Sequence, residues 1–308
     1  MTVVLVCSSC EVEFDFSDLD DGPILDVKCS LNRTSGLGTD ESASQDAVTF
    51  MTFVSAVPSA AGEREFSEEL TYGMDIYHDG RKVWSDEGVG IGYSSSGSFE
   101  GVEPGDQLQV VVSAEGFPEA SAVVTMPPDP PRAEVSHKKI NDYAYRIMVT
   151  IEDDPLTEDW YSFSFYRASF PGGEPIQAVI GTVYLDISFA DTEEASYLDS
   201  GPFDVVWNGQ YGVSDAGFNG QRKTFEVNAD YPMVSPEAAV YSYYRVVVEN
   251  VSPELIRYNT ALWNRDNNML GFMGLAPADF AYTNVVGGTG YVACRNKIFT
   301  DWIPLTSD

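Results

Sequence analysis

The side chains able to do acid–base, nucleophilic or metal chemistry in this 308-residue chain are two histidines, four cysteines and 48 carboxylates. His78 stands beside Asp79-Gly80, a hairpin-tip dipeptide, and His137 beside Lys138-Lys139. Neither sits in the context of a catalytic triad, so both read as turn or linker residues. Gly92-Tyr93-Ser94-Ser95-Ser96-Gly97 has one residue too many for the G-x-S-x-G nucleophile elbow. Gly288-Thr289-Gly290-Tyr291-Val292-Ala293 matches a dinucleotide fingerprint by letters. It leads into a strand, whereas the fingerprint must open a helix, so these are turn glycines. Among so many carboxylates no spacing singles out a glycosidase pair. Asp18-Leu19-Asp20-Asp21-Gly22 and Glu152-Asp153-Asp154 carry the oxygen ligands a calcium ion takes. Neither has the EF-hand pattern, and no metal or cofactor is assigned. No enzyme is expected.

Binding chemistry is more visible. Between Arg167 and Arg222 lie eight acids and no base, and within that stretch Trp207-Asn208-Gly209-Gln210-Tyr211 sets aromatic and amide side chains together. Trp207, Asn208 and Tyr211 are therefore candidate ligand-binding residues, since rings stack on and amides hydrogen-bond a sugar or peptide. The plainer alternative is a core tryptophan beside an ordinary loop.

The N-terminus speaks to location. Val3 to Cys7 is a short apolar run, followed by Ser8-Ser9-Cys10. An apolar stretch, small residues and then a cysteine form the tail of a bacterial lipoprotein signal, with Cys10 the lipidated residue. The alternative is an ordinary first strand, because the run is short and no basic segment precedes it. Residues 11–21 hold six acids and no base, as a solvated, extended tether would. Once Cys7 is cleaved away and Cys10 acylated, Cys29 and Cys294 remain. Alternation in Leu25-Asp26-Val27-Lys28-Cys29-Ser30-Leu31 places Cys29 in a core. Cys294, 265 positions later, is expected in the other domain, and no disulfide between them is expected. Cys7 and Cys10 have the spacing of a zinc pair but no second pair to complete it.

The net charge is -31, which excludes binding to nucleic-acid phosphates or an anionic membrane surface by bulk charge. Hydrophobic residues at 44% and aromatics at 13% are ample for packed cores. Short strands and turn chemistry run from Pro23 to Met126: Ile24–Leu31, Ala47–Val57, the hairpin about Asp79-Gly80, Gly97–Val102, Gln107–Ala114 and Ala120–Met126. Glu65–Thr71 suits a helical turn. Pro127-Pro128-Asp129-Pro130-Pro131 continues neither strand nor helix and marks a boundary. Beyond it, strands are expected at Tyr143–Ile151, Trp160–Phe165, Gln177–Leu185, Gln221–Val227, Ser242–Glu249 and near Tyr291–Cys294. Ser252 and Pro253 open a helix carrying Leu255, Tyr258 and Leu262 on one face. The expected fold is mainly all-β. Residues 1–21 are signal remnant and tether, 22–127 an Ig-like β-sandwich, 128–132 a proline-rich linker, and 133–308 a larger β-rich sandwich or barrel-like domain with one or two short helices.

Several segments, taken in order, share the look of one family. They are Ser9-Cys10-Glu11, the strand Pro23 to Leu31, Gly97 to Pro127, Asp153-Asp154-Pro155 with Trp160-Tyr161, Asp204 to Gly209 with Ser214-Asp215 and Phe218-Asn219-Gly220, and Asn284 to Tyr291. Together they resemble the domain-of-unknown-function family 4249 of Bacteroidota outer-membrane lipoproteins, over nearly the whole chain. The family's Gly-Leu-Gly near the end stands here as Gly288-Thr289-Gly290. The resemblance implies an Ig-like first domain, a larger β-rich second one, and export to the cell surface signalled by acids after the lipidated cysteine. It also implies a TonB-dependent outer-membrane receptor as partner in capturing a nutrient, whether small peptide, glycan or other. A surface adhesin or structural module without a transport role is the alternative. The family supplies no catalytic residues to carry over.

Overall fold

A strand that alternates apolar and polar residues must put its apolar side chains on one face. The computed structural model describes residues 22–35, 47–57, 69–141, 144–169, 180–184, 186–189, 211–230, 242–267 and 282–305. In it Leu25, Val27, Cys29 and Leu31 all turn inward from strand β1 (Ile24–Thr34). The first half continues with β2 (Ala47–Val57), β3 (Leu70–His78), β4 (Arg81–Gly90), β5 (Gly92–Glu100), β6 (Gln107–Ala114) and β7 (Ala120–Thr125). After the prolines come β8 (Glu134–Asn141), β9 (Ala144–Glu152), β10 (Trp160–Ser169), β11 (Ile180–Tyr184), β12 (Asp186–Phe189) and β13 (Tyr211–Ser214). The chain then forms β14 (Arg222–Asp230), β15 (Ser242–Val251), helix α1 (Pro253–Asn267), β16 (Gly288–Phe299) and β17 (Ile303–Pro304). The protein is mainly β, with a single α-helix among the described residues.

The strands make three sheets. The order β4-β3-β6-β7 forms one four-stranded sheet and β12-β14-β9-β8 another. The third has nine strands, running β11-β10-β15-β16-β1-β2-β5 with β13 beside β10 and β17 beside β15. Its β1-β2-β5 end packs face to face on β4-β3-β6-β7, through a core that includes Leu31, Phe50, Tyr72, Ile76, Leu108 and Val124. Three strands against four, with the chain crossing between sheets after β2, β4 and β5, is an Ig-like sandwich. The β10-β15 end packs on β12-β14-β9-β8 around Ile147, Phe163, Phe225, Tyr244 and Val246. One long sheet thus serves two sandwiches.

That sheet crosses the proline segment. β1 lies parallel to β16 from Leu25↔Gly288 to Thr34↔Lys297, so the first strand of one half is laddered to a late strand of the other. The segment itself is fixed: Asp129 Oδ1 accepts from Arg33 Nη1 at 2.6 Å and from Asn296 Nδ2 at 2.8 Å. Cys294, expected in the other domain, shares the core of Cys29, because the β1–β16 pairing carries it there. The register sets Cys29 opposite Val292 and Cys294 opposite Leu31, a diagonal offset, and both thiols are free. Burial pushes the Cys29 thiol up to about 12, so it is a packing residue and not a nucleophile.

Local chemistry explains most boundaries. Asp79 (φ 47) and Gly80 (φ 79) both take the left-handed conformation that a two-residue hairpin loop requires. Helix α1 buries Leu255 and Tyr258 against Tyr291 and Ala293, on the outer face of the large sheet. Two further expectations change. His137, read as a turn or linker residue, lies on β8, where Val135, His137 and Lys139 are half-buried while Lys138 and Ile140 face out. Leu70 and Thr71, placed in a helical turn with Glu65, instead open β3 opposite Gly90 and Val89; residues 58–68 lie outside the described residues.

Candidate functional site

Four strand ends meet at one point. The β9–β14 ladder sets Glu152 opposite Arg222, which brings Asp153 to the turn at Gly220. The β10–β13 ladder sets Trp160 opposite Ser214, which brings Asp159 to Asp215. Backbone bonds lock the second meeting: the Asp159 N–H donates to Asp215 Oδ2 at 2.8 Å, and the Asp215 N–H to the Asp159 carbonyl at 3.1 Å. Asp153, Asp159 and Asp215 are only 4%, 3% and 3% exposed, unusually low for carboxylates. One oxygen from each lies within 4.8 Å of the others.

Neutral donors surround the group. The Tyr161 hydroxyl, 2.6 Å from Asp153 Oδ1, also lies 3.2 Å from Asp159 Oδ2. The Gly220 N–H donates to Asp153 Oδ2 at 2.7 Å. Thr157 and Asn250 donate to the two oxygens of Asp159 at 2.5 and 2.6 Å. Among the described residues no lysine, arginine or histidine pairs with any of the three. Burial, reinforced by the charges of Asp153, Asp159 and Glu158 and opposed by the Asp159 N–H, raises the Asp215 carboxyl above its ordinary range. Burial first, then hydrogen bonding to Asp153, raises the Tyr161 phenol far above its usual value, so it stays a donor. An all-oxygen cluster with no paired cation is chemistry that suits a shared proton or a hard divalent ion such as calcium.

Of the residues singled out from sequence, Asp153 belongs to this cluster. Its neighbour Asp154 turns outward and accepts from the Leu156 N–H. Asp159 and Asp215 were missed. They lie 56 positions apart, and only the pairing of β10 with β13 joins them. Asp153, Tyr161, Asp215 and Gly220, from segments apart in sequence, converge here. Tyr211 opens β13, pairing through its backbone with Phe163. Cys10, Trp207 and Asn208, with Asp18 to Asp21, lie outside the described residues.

The histidines have structural partners. His78 Nε2 is 2.7 Å from Asp106 Oδ2, which also accepts the Glu103 N–H, and this braces the β3–β4 hairpin against the neighbouring turn. That backbone N–H, with a smaller part from His78, outweighs burial and holds the Asp106 carboxyl below its usual range. His137, expected in a linker, is on β8 with Nδ1 3.0 Å from the buried Tyr244 hydroxyl. Gly92 to Gly97 is extended on β5, where Ser95 donates to Asp86. Gly290, third residue of β16, has φ +96, and its bare α-carbon lets the Val27 carbonyl approach.

Beside the cluster runs a cleft of about 550 Å³, with Asp159 and Asn250 in its lining. Its other wall is the end of β7 and the prolines that follow.

No family model matches the chain, and no curated protein matches it. Among solved structures, a transglutaminase of red sea bream aligns over 93% of this chain and 31% of its own, at 7% identity and a TM-score of 0.23. A chitinase of Bacillus thuringiensis aligns over 68% and 28%, at 12% identity and a TM-score of 0.19. The chain spans less than a third of either protein. Likeness this slight carries no residue and no activity across.

Proposed function

We propose that this protein is a lipid-anchored protein of the outer-membrane surface that captures a nutrient for a TonB-dependent receptor. The observation that carries the reading is N-terminal: an apolar run into Ser8-Ser9-Cys10, then six acids between residues 11 and 21. The family resemblance supplies the receptor. Two or three acyl chains on Cys10 give stable anchoring where one would not. The acidic tether then holds the β-domains near a barrel mouth, and tethering raises effective concentration toward ~1 mM, so weak docking persists. No described helix is long and apolar enough to cross a membrane.

Binding without catalysis is also favoured by the state of the buried carboxylates. Asp153 and Asp159 are held by fixed donors, which stabilise a structure, while the cleft beside them is open to a ligand. Metabolic labelling with a fatty-acid analogue tests the anchor: wild type takes up label and Cys10→Ala does not. Purification of the native lipoprotein from outer membranes tests the partner, with a TonB-dependent barrel expected to accompany it and uptake expected to fall on deletion. Label persisting in Cys10→Ala, or no barrel and no change in uptake, overturns the reading.

One observation favours the adhesin alternative. Met51 and Phe53 are each 53% exposed on the outer face of β2, across from Ser96 and Ser94 of the edge strand β5. Self-association that Phe53→Ser abolishes, in a protein that brings down no barrel, would move that alternative ahead.

A further inference from the structure

Where β7 gives way to Pro127 and Pro128, the two halves of the molecule border the 550 Å³ cleft, a volume in the range of small-ligand sites. The wall formed by β7 and the prolines is apolar, with Val123 at 55% exposure, Pro128 exposed and Pro104 half-buried. The wall from the second half is acidic, with Glu158, Asp159 and Glu254. Among the described residues, no basic residue lines the cleft. The oxygens of Asp159 are already engaged by Asn250, Thr157 and Tyr161, so its charge acts as a fixed field. Glu158 and Glu254 are accessible and form no ion pair with any described residue. The start of α1 lies at the same rim, and its partial charge of about +0.5 would favour an anion. Three carboxylates outweigh it, in a molecule of net charge -31.

We propose that this cleft binds the basic side chain of a peptide. The aliphatic stem of an arginine or lysine lies along Val123, Pro128 and Pro104, and its cation meets Glu158 and Glu254. Long basic side chains are amphipathic in this way, and guanidinium groups match carboxylates in geometry. The walls are already joined. Ser121 and Val286 exchange backbone hydrogen bonds at 2.9 and 2.8 Å, and Asn296 holds the Pro127 carbonyl at 3.2 Å. Binding therefore needs little ordering of the protein. The proposal rests on the reading of the protein as a binding module and names its ligand class.

Calorimetric titration of the full chain with acetyl-Leu-Arg-amide, against its neutral citrulline analogue, tests it. The arginine peptide is expected to bind about tenfold tighter, with affinity falling as salt rises. Glu158→Gln with Glu254→Gln, both at accessible positions, should weaken binding about five- to twentyfold. Val123→Arg, which plants a cation in the cleft, should remove it, while Glu134→Gln on β8 should change nothing. No binding, equal affinity for the two peptides, or indifference to the double substitution overturns the proposal. Failure here with a barrel still co-purifying rejects the peptide cleft alone; peptide binding without a barrel rejects the transport reading alone.

Discussion

Asp215 is placed where ionisation is costly, among two other buried carboxylates with no cation to offset them. Its raised carboxyl makes a prediction with a definite sign. A group whose pKa is higher in the folded state contributes stability that is complete below the unfolded value and is lost as pH rises through the folded one. At neutral pH Asp215 therefore works against the fold. Asp215→Asn retains an oxygen to accept the Asp159 N–H and removes the charge. Thermal melts should show it more stable than wild type at pH 7, by about 2–4 °C. The advantage should shrink as pH falls toward the ordinary carboxylate range. A variant less stable at pH 7 would mean that the charge is compensated in solution. Asp86 has the opposite sign. Ser95 and then Tyr93 donate to it and hold it low, so its contribution is present at neutral pH and lost only in stronger acid.

At the level of elements, the parallel ladder between β1 and β16 needs glycine at its start, at Gly288 and above all at Gly290. Gly290 has φ +96, and a Cβ there would lie 2.1 Å from the Val27 carbonyl oxygen. Gly290→Ala meets both a strained conformation and a backbone clash, so its cost should exceed about 3 kcal/mol, beyond ordinary backbone strain of about 1–3 kcal/mol. Gly80→Ala carries the left-handed strain alone, since nothing lies within 4 Å of its would-be Cβ. It should lose about 1 kcal/mol. Urea denaturation of the two variants distinguishes them, and comparable losses would mean that β16 can shift away from β1 without penalty. Helix α1 shows a subtler arrangement. Ser252, expected as its cap, accepts the Cys294 N–H with its hydroxyl and the Leu255 N–H with its carbonyl, which ties the helix start to β16.

For the whole molecule, the shared sheet predicts that neither half is self-sufficient. A chain of residues 22–127 would leave the β16-facing edge of β1 open along ten paired positions. It would also remove Val285, Val292 and Cys294 from the first core. A chain of residues 133–308 would lose β1 from the middle of its largest sheet. Each alone should lack a sharp thermal transition, while the full chain should melt in one step. A cooperative melt of 22–127 alone would show that its sandwich is complete without β16. Salt should matter too: at a net charge of -31, raising ionic strength screens self-repulsion and should raise the melting temperature.

Alternation along Leu25 to Leu31, the Asp79-Gly80 turn, the Pro253 helix start and the proline run are local signals, and each was legible in the residues themselves. Local sterics and the two-residue period set them wherever the chain goes. The mainly-β class and the first sandwich follow from such signals. The parallel seam of β1 and β16 does not, because pairing between strands more than 250 positions apart leaves no periodic mark on either. The same holds for Asp159 and Asp215, which only the β10–β13 register makes neighbours, and for the cleft, whose walls come from segments on both sides of the prolines. Residue order determined which stretches are strands; tertiary pairing decided which carboxylates are buried together, because burial and proximity are properties of the assembled sheets.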